Sequence, residues 1–390
     1  MIYLDNAATT RPDSRVVKEM LPYLTGRYGN PGSLYSLGRE AKGAVALARS
    51  HTAELFGCDD EQVLFTSGGS EGNSLVFRGL ADRLLSSGKT HILVSAAEHD
   101  SVLRVAEYLG QHGFSVEKIP VSAEGVVELP VLEHMIRAET GLVSVQYVNN
   151  ETGAVHPVSD IGSLCAKRGI LFHTDCVQAA GTEKLDVAKI GCDFATVSGH
   201  KIHAPKGVGA VFVKTKELLS PLIFGGEEQE FGFRGGTENV PGIIGFGAAC
   251  RLITENRFED VIATSTMKQI FCESLREQLA KLSVDDAALR FNGAPVVAPG
   301  KTLSITVPGI DAQTLVLMID TFGVCISAGS ACNSHETTPS HVLTAMGIPD
   351  ELVRCTVRVS FSRDNKIEEA AEAGRLFANC VSALRKSGEV

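Results

Sequence analysis

The chain has 390 residues, enough for two or three domains with a large hydrophobic core. Hydrophobic residues make up 44% of it and charged residues 21%, which is typical of a globular protein. The formal net charge of −10 argues against nucleic acid or an anionic membrane as the main partner, because both need a basic face. The ten cysteines include no Cys-x-x-Cys pair, which argues against a zinc ribbon, clustered iron–sulfur ligation and a disulfide framework. We therefore expect no metal site.

The sequence also bears on where the protein works. Residues 1–5 lack the basic segment and the apolar segment of a signal peptide. No uninterrupted apolar stretch reaches the ~18 residues that a membrane span needs. We expect reduced thiols and a cytoplasmic location.

Strands and helices are predicted to alternate through the first part of the chain. Residues before 63 are typical of a short arm, a turn around Gly29-Asn30-Pro31 and a helix at about 37–56 that ends at Gly57. Short buried strands are predicted at 63–66, 92–95, 115–119, 142–148, 170–174, 194–198 and 208–213. Most intervals between them have helical periodicity. This pattern predicts an α/β fold with a mainly parallel central sheet flanked by helices, and ligands bound beyond the carboxyl ends of its strands.

A second, smaller unit is predicted after the sheet. A glycine-rich segment at 224–236 leads into a long helix at about 240–282. Strands at 303–307, 324–327 and 356–361 and helices at 312–320 and 367–384 then predict a smaller α+β domain. We divide the chain into an N-terminal arm with part of the small domain (1–15), a large cofactor-binding domain (16–255) and a smaller C-terminal domain (256–390).

The tetrapeptide Ser198-Gly199-His200-Lys201 ends one predicted strand and precedes the turn Ala204-Pro205-Lys206-Gly207. A lysine that is fixed and partly desolvated there can lose its proton and attack a carbonyl, forming a Schiff base. By itself the tetrapeptide is better explained by a solvated surface lysine. Residues at neighbouring strand ends reverse this preference.

Two of those strand ends carry groups that can bind the phosphate and the ring of a cofactor. Ser67-Gly68-Gly69-Ser70 separates a strand from a helix, so its backbone N–H groups and the Ser70 hydroxyl can bind a phosphate, although an ordinary turn explains it equally well. Asp175 ends another strand and can pair with a protonated ring nitrogen or cap a helix. An aspartate, a lysine and a phosphate cradle at adjacent strand ends are what pyridoxal phosphate (PLP) requires.

Three further candidates carry polar or nucleophilic groups. His99, within Glu98-His99-Asp100, is either structural or catalytic. The amides of Asn149-Asn150 hold a ligand oxygen or cap a turn. Cys332 lies in a small polar segment, where it is either an exposed nucleophile or an adventitious surface cysteine.

Taken together, these residues resemble the cysteine desulfurases of the class V (fold type I) pyridoxal-phosphate aminotransferase superfamily. The resemblance covers nearly the whole chain, from Tyr3 to beyond Arg358. Each motif is weak alone, but in this order and over this length the set is highly specific. The matching motifs are Tyr3-Leu4-Asp5-Asn6-Ala7-Ala8-Thr9-Thr10, Gly29-Asn30-Pro31, Phe65-Thr66-Ser67-Gly68, Glu98-His99, Val148-Asn149-Asn150-Glu151-Thr152-Gly153, His173-Thr174-Asp175, Ser198-Gly199-His200-Lys201, Arg234-Gly235-Gly236-Thr237-Glu238-Asn239 and Ser330-Ala331-Cys332.

The resemblance implies a PLP-dependent enzyme that converts L-cysteine to L-alanine and transfers the sulfur to Cys332 as a persulfide. Lys201 would hold the cofactor and move protons, and His99 would stack on the ring and serve in acid–base steps. Asn30 and Arg358 would hold the substrate carboxylate. The remaining implied cofactor contacts are Asp175 at the ring nitrogen, Asn150 and Gln178 near the ring hydroxyl, and Gly69, Ser70, Ser198, His200 and, from the other subunit of a homodimer, Thr237 at the phosphate.

The spacing around Cys332 resembles one subtype. Cys332 precedes Arg358 by 26 residues, like the long, mobile loop of the iron–sulfur-assembly and nitrogen-fixation desulfurases. The resemblance therefore implies that sulfur is delivered to an acceptor protein, for example an iron–sulfur scaffold. Gly69-Ser70 replaces the usual Ala-Thr of these enzymes and keeps the hydroxyl.

Other interpretations stay open. A selenocysteine lyase or a class V aminotransferase shares most of these residues, although an aminotransferase does not need Cys332. A non-enzymatic PLP fold that serves as a sulfur-carrier platform would not need intact Lys201 and Asp175. A dinucleotide-binding dehydrogenase shares the sheet but requires a glycine fingerprint that this sequence lacks.

Overall fold

The computed structural model describes residues 1–285, 289–329 and 339–387. Helix limits follow local signals in the sequence: the helix after residue 36 ends at Gly57 in the left-handed conformation (φ 68°), and the longest helix begins after Asn239, whose side chain accepts from the N–H of Gly242. Within the described ranges the helices are α1 (Ser14–Leu24), α2 (Ser36–Phe56), α3 (Gly69–Ser86), α4 (Asp100–Gly110), α5 (Leu129–Met135), α6 (Val158–Arg168), α7 (Val187–Ile190), α8 (Val240–Lys281), α9 (Ala312–Asp320), α10 (His341–Ala345), α11 (Asp350–Val353) and α12 (Ile367–Ser387).

In the part of the chain that the structure describes, the strands form three sheets, of which the largest has seven strands in the order β2-β8-β7-β6-β5-β3-β4. Every neighbouring pair in it is parallel except those of β8, which runs antiparallel to both β7 and β2. The prediction of a mainly parallel sheet is confirmed. The strands are β1 (Ile2–Tyr3), β2 (Val63–Thr66), β3 (His91–Ser95), β4 (Ser115–Ile119), β5 (Thr140–Ser144), β6 (Leu171–Asp175), β7 (Phe194–Ser198), β8 (Gly209–Val213), β9 (Arg290–Asn292), β10 (Thr302–Thr306), β11 (Val324–Cys325) and β12 (Thr356–Ser360).

The strand predicted at 142–148 ends earlier than expected. β5 stops at Ser144, and Val148 instead pairs antiparallel with Val155. The side chain of Asn149 closes the intervening turn, because its Oδ1 accepts from the N–H groups of Glu151 (2.8 Å) and Thr152 (2.9 Å). Asn149 is therefore a turn-capping residue.

Two hydrophobic cores share the helix α8. Its first part, through Ile253, packs with α2 and the large sheet, and its last part, from Met267 to Leu279, packs with β10, β12 and α12. The proposed domain boundary at residues 255–256 falls between these two parts, and the domain limits stay a prediction. The N-terminal arm joins the smaller core, because β1 pairs in parallel with β11.

Two properties of the described residues bear on the class of protein. None of the helices in these ranges is both long enough and apolar enough to cross a membrane. Among the same residues, no group of three or more His, Cys, Asp and Glu side chains is placed to hold a metal ion.

Candidate active site

A cavity of about 410 Å³ lies at the carboxyl ends of the parallel strands. This is the edge where an open α/β sheet binds its ligands. Ten predicted site residues line it: Gly69, Ser70, His99, Asn150, Asp175, Gln178, Ser198, His200, Lys201 and Arg358. The structure thus gathers in one place residues that span most of the chain.

Two predicted residues lie elsewhere in the structure. Asn30 lines a separate cavity together with Arg49 and Glu230, and Thr237 lies just before α8. Cys332 lies outside the described residues. The roles assigned to these three stay predictions.

Lys201 lies at the end of a short 3₁₀ turn that follows the fully buried strand β7. Its Nζ donates hydrogen bonds to the carbonyl oxygens of Ala7 (2.5 Å) and Ala8 (2.8 Å). The arm is tied to the same turn, because the N–H of Thr10 donates to the carbonyl of His200 at 2.8 Å. The N-terminal arm therefore helps to fix the position of the lysine.

Asp175 is the last residue of β6 and is only 6% exposed. Its Oδ1 accepts from the N–H of Val177 at 2.9 Å, and its Oδ2 accepts from Nδ2 of Asn73 at 2.8 Å. Gln178, one turn further on, donates from Nε2 to the carbonyl of Ala7 at 2.9 Å, while its buried Oε1 has no hydrogen-bond partner in the described structure. A bound group can satisfy that oxygen.

His99 caps the N-terminus of α4. Its Nδ1 accepts from the backbone N–H of Ser101 at 3.1 Å and lies 2.8 Å from the Ser101 hydroxyl. Ser101 in turn accepts from Nδ2 of Asn73 at 2.9 Å, so the imidazole and the Asp175 carboxylate share one amide.

The glycine-rich turn before α3 has the form of an anion cradle. α3 begins at Gly69, where an added Cβ would lie 2.9 Å from the Val177 side chain, so a larger residue would crowd this helix N-terminus. Glu71 stabilises the turn and connects it to Arg234. Its carboxylate accepts hydrogen bonds from the N–H of Ser67 (2.9 Å) and from Nε of Arg234 (2.9 Å). Burial and the positive charge of Lys201 lower the pKa of His200 to about 4, which keeps that ring neutral.

Arg358 projects from β12 of the small domain and is 2% exposed. Its Nη2 donates to Oδ1 of Asp5 at 2.8 Å, and its Nη1 donates to the carbonyl of Asn150 at 3.2 Å. Its buried Nε has no hydrogen-bond partner in the described ranges. A buried guanidinium with an unused donor suits a carboxylate ligand.

The segment predicted as a long loop before Arg358 is partly helical. Its described part contains α10 and α11, whose Val342, Leu343 and Val353 pack in a cluster with Ala97. His341 lines the main cavity, and its Nε2 donates to the carbonyl of Glu98 at 2.9 Å. The residues nearest Cys332, 330–338, lie outside the described residues.

Sequence reasoning missed several residues of this site. Glu98 is completely buried, and burial together with the charge of Asp175 raises its pKa to about 8. Glu98 adjoins His99, and Asp5 lies in a matching motif, so the sequence carried a signal for both residues. Asn73, Ser101 and His341 carried none, because only the folded chain brings Ser101 and His341 to the cavity and places Asn73 between Ser101 and Asp175.

The residues fit PLP. The cavity offers a carboxylate for the ring nitrogen, a lysine amine, an orphaned amide oxygen on Gln178 and a helix N-terminus for the phosphate. The fold and this donor set together define a PLP-dependent enzyme of the α/β class.

Comparisons with known proteins agree. Residues 2–372 match the family model described as aminotransferase class-V. The cysteine desulfurase IscS of Methanosarcina thermophila is 37% identical over 98% of this chain and 93% of its own length. A solved NifS-like protein superposes with a TM-score of 0.87 at 31% identity, covering 98% of this chain and 100% of its own. The structure described as SspA in complex with cysteine superposes with a TM-score of 0.80 at 32% identity, covering 93% and 99%.

The chain therefore belongs to the class V aminotransferase family and, within it, to the cysteine desulfurases. The predicted family, the fold type I architecture and the PLP cofactor are confirmed. The interpretation as a dinucleotide-binding dehydrogenase is thereby excluded.

Proposed function

We propose that this protein is a PLP-dependent cysteine desulfurase that converts L-cysteine to L-alanine and transfers the sulfur to Cys332. The observation that carries the proposal is the convergence of Lys201, Asp175, His99 and Arg358 on one cavity. The relatives named cysteine desulfurase and the solved neighbour described in complex with cysteine support the substrate.

The cofactor side of the cavity would be held as the resemblance implies. Lys201 would bind the carbonyl carbon of PLP, Asp175 the ring nitrogen, and Asn150 and Gln178 the region of the ring hydroxyl. Gly69, Ser70, Ser198 and His200 would bind the phosphate. When bound, PLP draws electrons away from the substrate carbon that bears the amine.

The substrate side would be organised by Arg358. Its guanidinium is already oriented by Asp5 and by the Asn150 carbonyl, and its Nε can donate to the substrate carboxylate. The Lys201 amine, once released from the cofactor, would take the proton from the substrate carbon and return it to the product.

Sulfur transfer would fall to Cys332. Its thiolate would attack the substrate sulfur, and a sulfur–sulfur bond would form on Cys332 while the carbon–sulfur bond breaks. The electron pair of the broken bond would stay with the substrate carbon, which would take up a proton to give the methyl group of alanine. A protein that accepts this persulfide sulfur, such as an iron–sulfur scaffold, would complete the reaction.

A homodimer and a cytoplasmic location complete the proposal. In a homodimer the partner's Thr237 would reach the phosphate, which agrees with the position of Thr237 outside the cavity of its own chain. All nine cysteines in the described ranges are free thiols, which suits a reducing compartment. Asn30 would also hold the substrate carboxylate, although it lines a different cavity of this chain.

The test is product analysis with L-cysteine and a reductant. We expect wild type to form sulfide and alanine in equal amounts, and Cys332→Ala and Lys201→Ala to lose this activity by roughly a thousandfold or more. Cys58→Ala and Lys214→Ala serve as matched controls, since both residues lie away from the cavity.

Other results would redirect the assignment. Full activity of Cys332→Ala would remove the persulfide role and favour an aminotransferase or a selenocysteine lyase. A wild type that binds PLP but forms no alanine, even with candidate acceptor proteins present, would contradict the proposed substrate.

A further inference from the structure

A chain of hydrogen bonds connects the Asp175 carboxylate to the His99 imidazole. Asn73 is completely buried on α3 and donates from Nδ2 to both Asp175 Oδ2 (2.8 Å) and Ser101 Oγ (2.9 Å). Ser101 reaches His99 Nδ1 twice, with its backbone N–H (3.1 Å) and its hydroxyl (2.8 Å).

The direction of each hydrogen bond follows from its partners. A carboxylate only accepts, so the NH₂ group of Asn73 must face Asp175, and its second hydrogen points to Ser101. The Ser101 hydroxyl accepts that hydrogen and has one hydrogen of its own, which it donates to His99 Nδ1. Nδ1 thus accepts from two donors, and the proton of a neutral His99 must reside on Nε2.

The surroundings of His99 also disfavour a second proton on the ring, which would make the imidazole cationic. Protonating Nδ1 would place an N–H against the backbone N–H of Ser101 and would put a positive charge at the N-terminus of α4. Lys201 and Arg358 add positive charge on the cavity side. Among the described residues, the titratable and charged groups next to His99 or around its cavity are Glu98 and Asp100 beside it, Glu151 before α6, Asp175 from β6, His200 and Lys201 after β7, His341 from α10 and Arg358 from β12.

We propose that Asn73 is a positioning residue that, through Ser101, holds His99 as the neutral Nε2–H form. The imidazole then presents a hydrogen-bond donor to cofactor and substrate, and it does not act as a cationic acid. Asn73 also aligns the carboxylate of Asp175, so one buried amide sets two groups of the site. The proposal deepens the proposed function and rests on it, and it assigns the proton transfers at the substrate carbon to Lys201.

The experiment is nitrogen NMR of the PLP-loaded enzyme without substrate, labelled with ¹⁵N-histidine. His99→Gln assigns the resonances by removing one ring. We expect the wild-type ring to keep a protonated Nε2 and an unprotonated Nδ1 from about pH 6 to about pH 8, the range in which an ordinary histidine titrates. In Asn73→Ala and Ser101→Ala the ring should show mixed tautomers or titrate within this range.

A matched control separates this effect from the general loss of a buried amide. Asn292 is also buried, and its Nδ2 bridges the hydroxyls of Ser304 (3.2 Å) and Thr306 (2.9 Å) in the small domain. Asn292→Ala should leave the His99 signals unchanged. With L-cysteine, Asn73→Ala should lower kcat about tenfold or more, with a smaller change in KM.

A wild-type ring that is protonated on Nδ1, or a spectrum unchanged in Ser101→Ala, would overturn the proposal. Because Ser101→Ala removes only a hydroxyl, it decides the question even if Asn73→Ala fails to fold. The tautomer is read without substrate, so a failure of the proposed reaction would appear separately, as a wild type that makes no alanine.

Discussion

The two sides of the cavity are built in different ways. On the cofactor side, Asp175, Asn73, Ser101 and His99 come from one strand and two helices that cover the same sheet. On the carboxylate side, Arg358 comes from the small domain, and its partner Asp5 comes from the N-terminal arm, 353 residues away in sequence. The first side is held by one sheet, whereas the second exists only where separate parts of the chain meet.

This difference predicts which kinetic constant each side controls. Groups fixed by the sheet should set how the cofactor is held and how fast the chemistry runs. Groups at the junction should set how tightly the substrate carboxylate binds, because their geometry depends on how the arm and the small domain pack together.

Among the substitutions that test this difference between the two sides, the largest effect is expected at Arg358. Arg358→Lys keeps the charge but loses the planar fork, so it cannot hold Asp5, the Asn150 carbonyl and a carboxylate together. We expect KM for L-cysteine to rise roughly 10- to 100-fold, with the absorption spectrum of the bound cofactor unchanged. Steady-state kinetics and absorbance measure both.

Arg363→Lys is the control for that substitution. Arg363 is a mostly buried arginine, with its side chain 11% exposed, and pairs with Asp13 and Asp260, but it does not line the main cavity among the described residues. A loss of kcat at unchanged KM in Arg358→Lys would contradict the division of roles between the two sides.

A smaller effect is expected from Asp5→Asn. This change keeps the shape of the side chain but removes the charge that orients the Arg358 guanidinium at 2.8 Å. We expect KM to rise about 3- to 10-fold, because the guanidinium becomes less well positioned. A fall in KM would show instead that Asp5 competes with the substrate, and Asp364→Asn, at an exposed pair with Arg11, is the control.

The smallest effect concerns stability and tests the cofactor side. Burial raises the pKa of Glu98 from 4.5 in the unfolded chain to about 8 in the folded one, so the folded state binds the proton more tightly. The contribution of Glu98 to the free energy of unfolding should therefore fall as pH rises from about 4.5 to about 8.

Glu98→Gln removes this titration and keeps the oxygen that accepts from Ser144. Relative to wild type, the variant should gain at least about 1 kcal/mol of stability between pH ~6 and pH ~9. Denaturant unfolding at several pH values measures this difference. Parallel stability curves for the two proteins would show that Glu98 does not bind its proton in the folded state near neutral pH.

The sequence predicted the site where its signals are local. Gly69 and Lys201 each follow a short buried strand and Asp175 ends one, and parallel strands bring such ends together. The antiparallel direction of β8 was not predicted, although only ten residues, 199–208, join it to β7 without a crossover helix. A connection that short favours antiparallel neighbours.

The residues that were missed depend on distant partners. Asn73 lies 28 residues from Ser101 and 102 from Asp175, so no local pattern distinguishes it from other helix residues. His341 reaches the cavity only because α10 packs beside Ala97. Side chains placed by tertiary contacts cannot be found from periodicity or spacing alone.

The helix α8 has a consequence for how the molecule unfolds. At 42 residues it is about 60 Å long, and each of its ends is a structural part of a different hydrophobic core. Melting either core would leave half of the helix without the packing that stabilises it, since helices in water owe most of their stability to tertiary contacts. The two cores should therefore unfold as one cooperative unit. Local unfolding at one end of α8 should make unfolding at its other end easier.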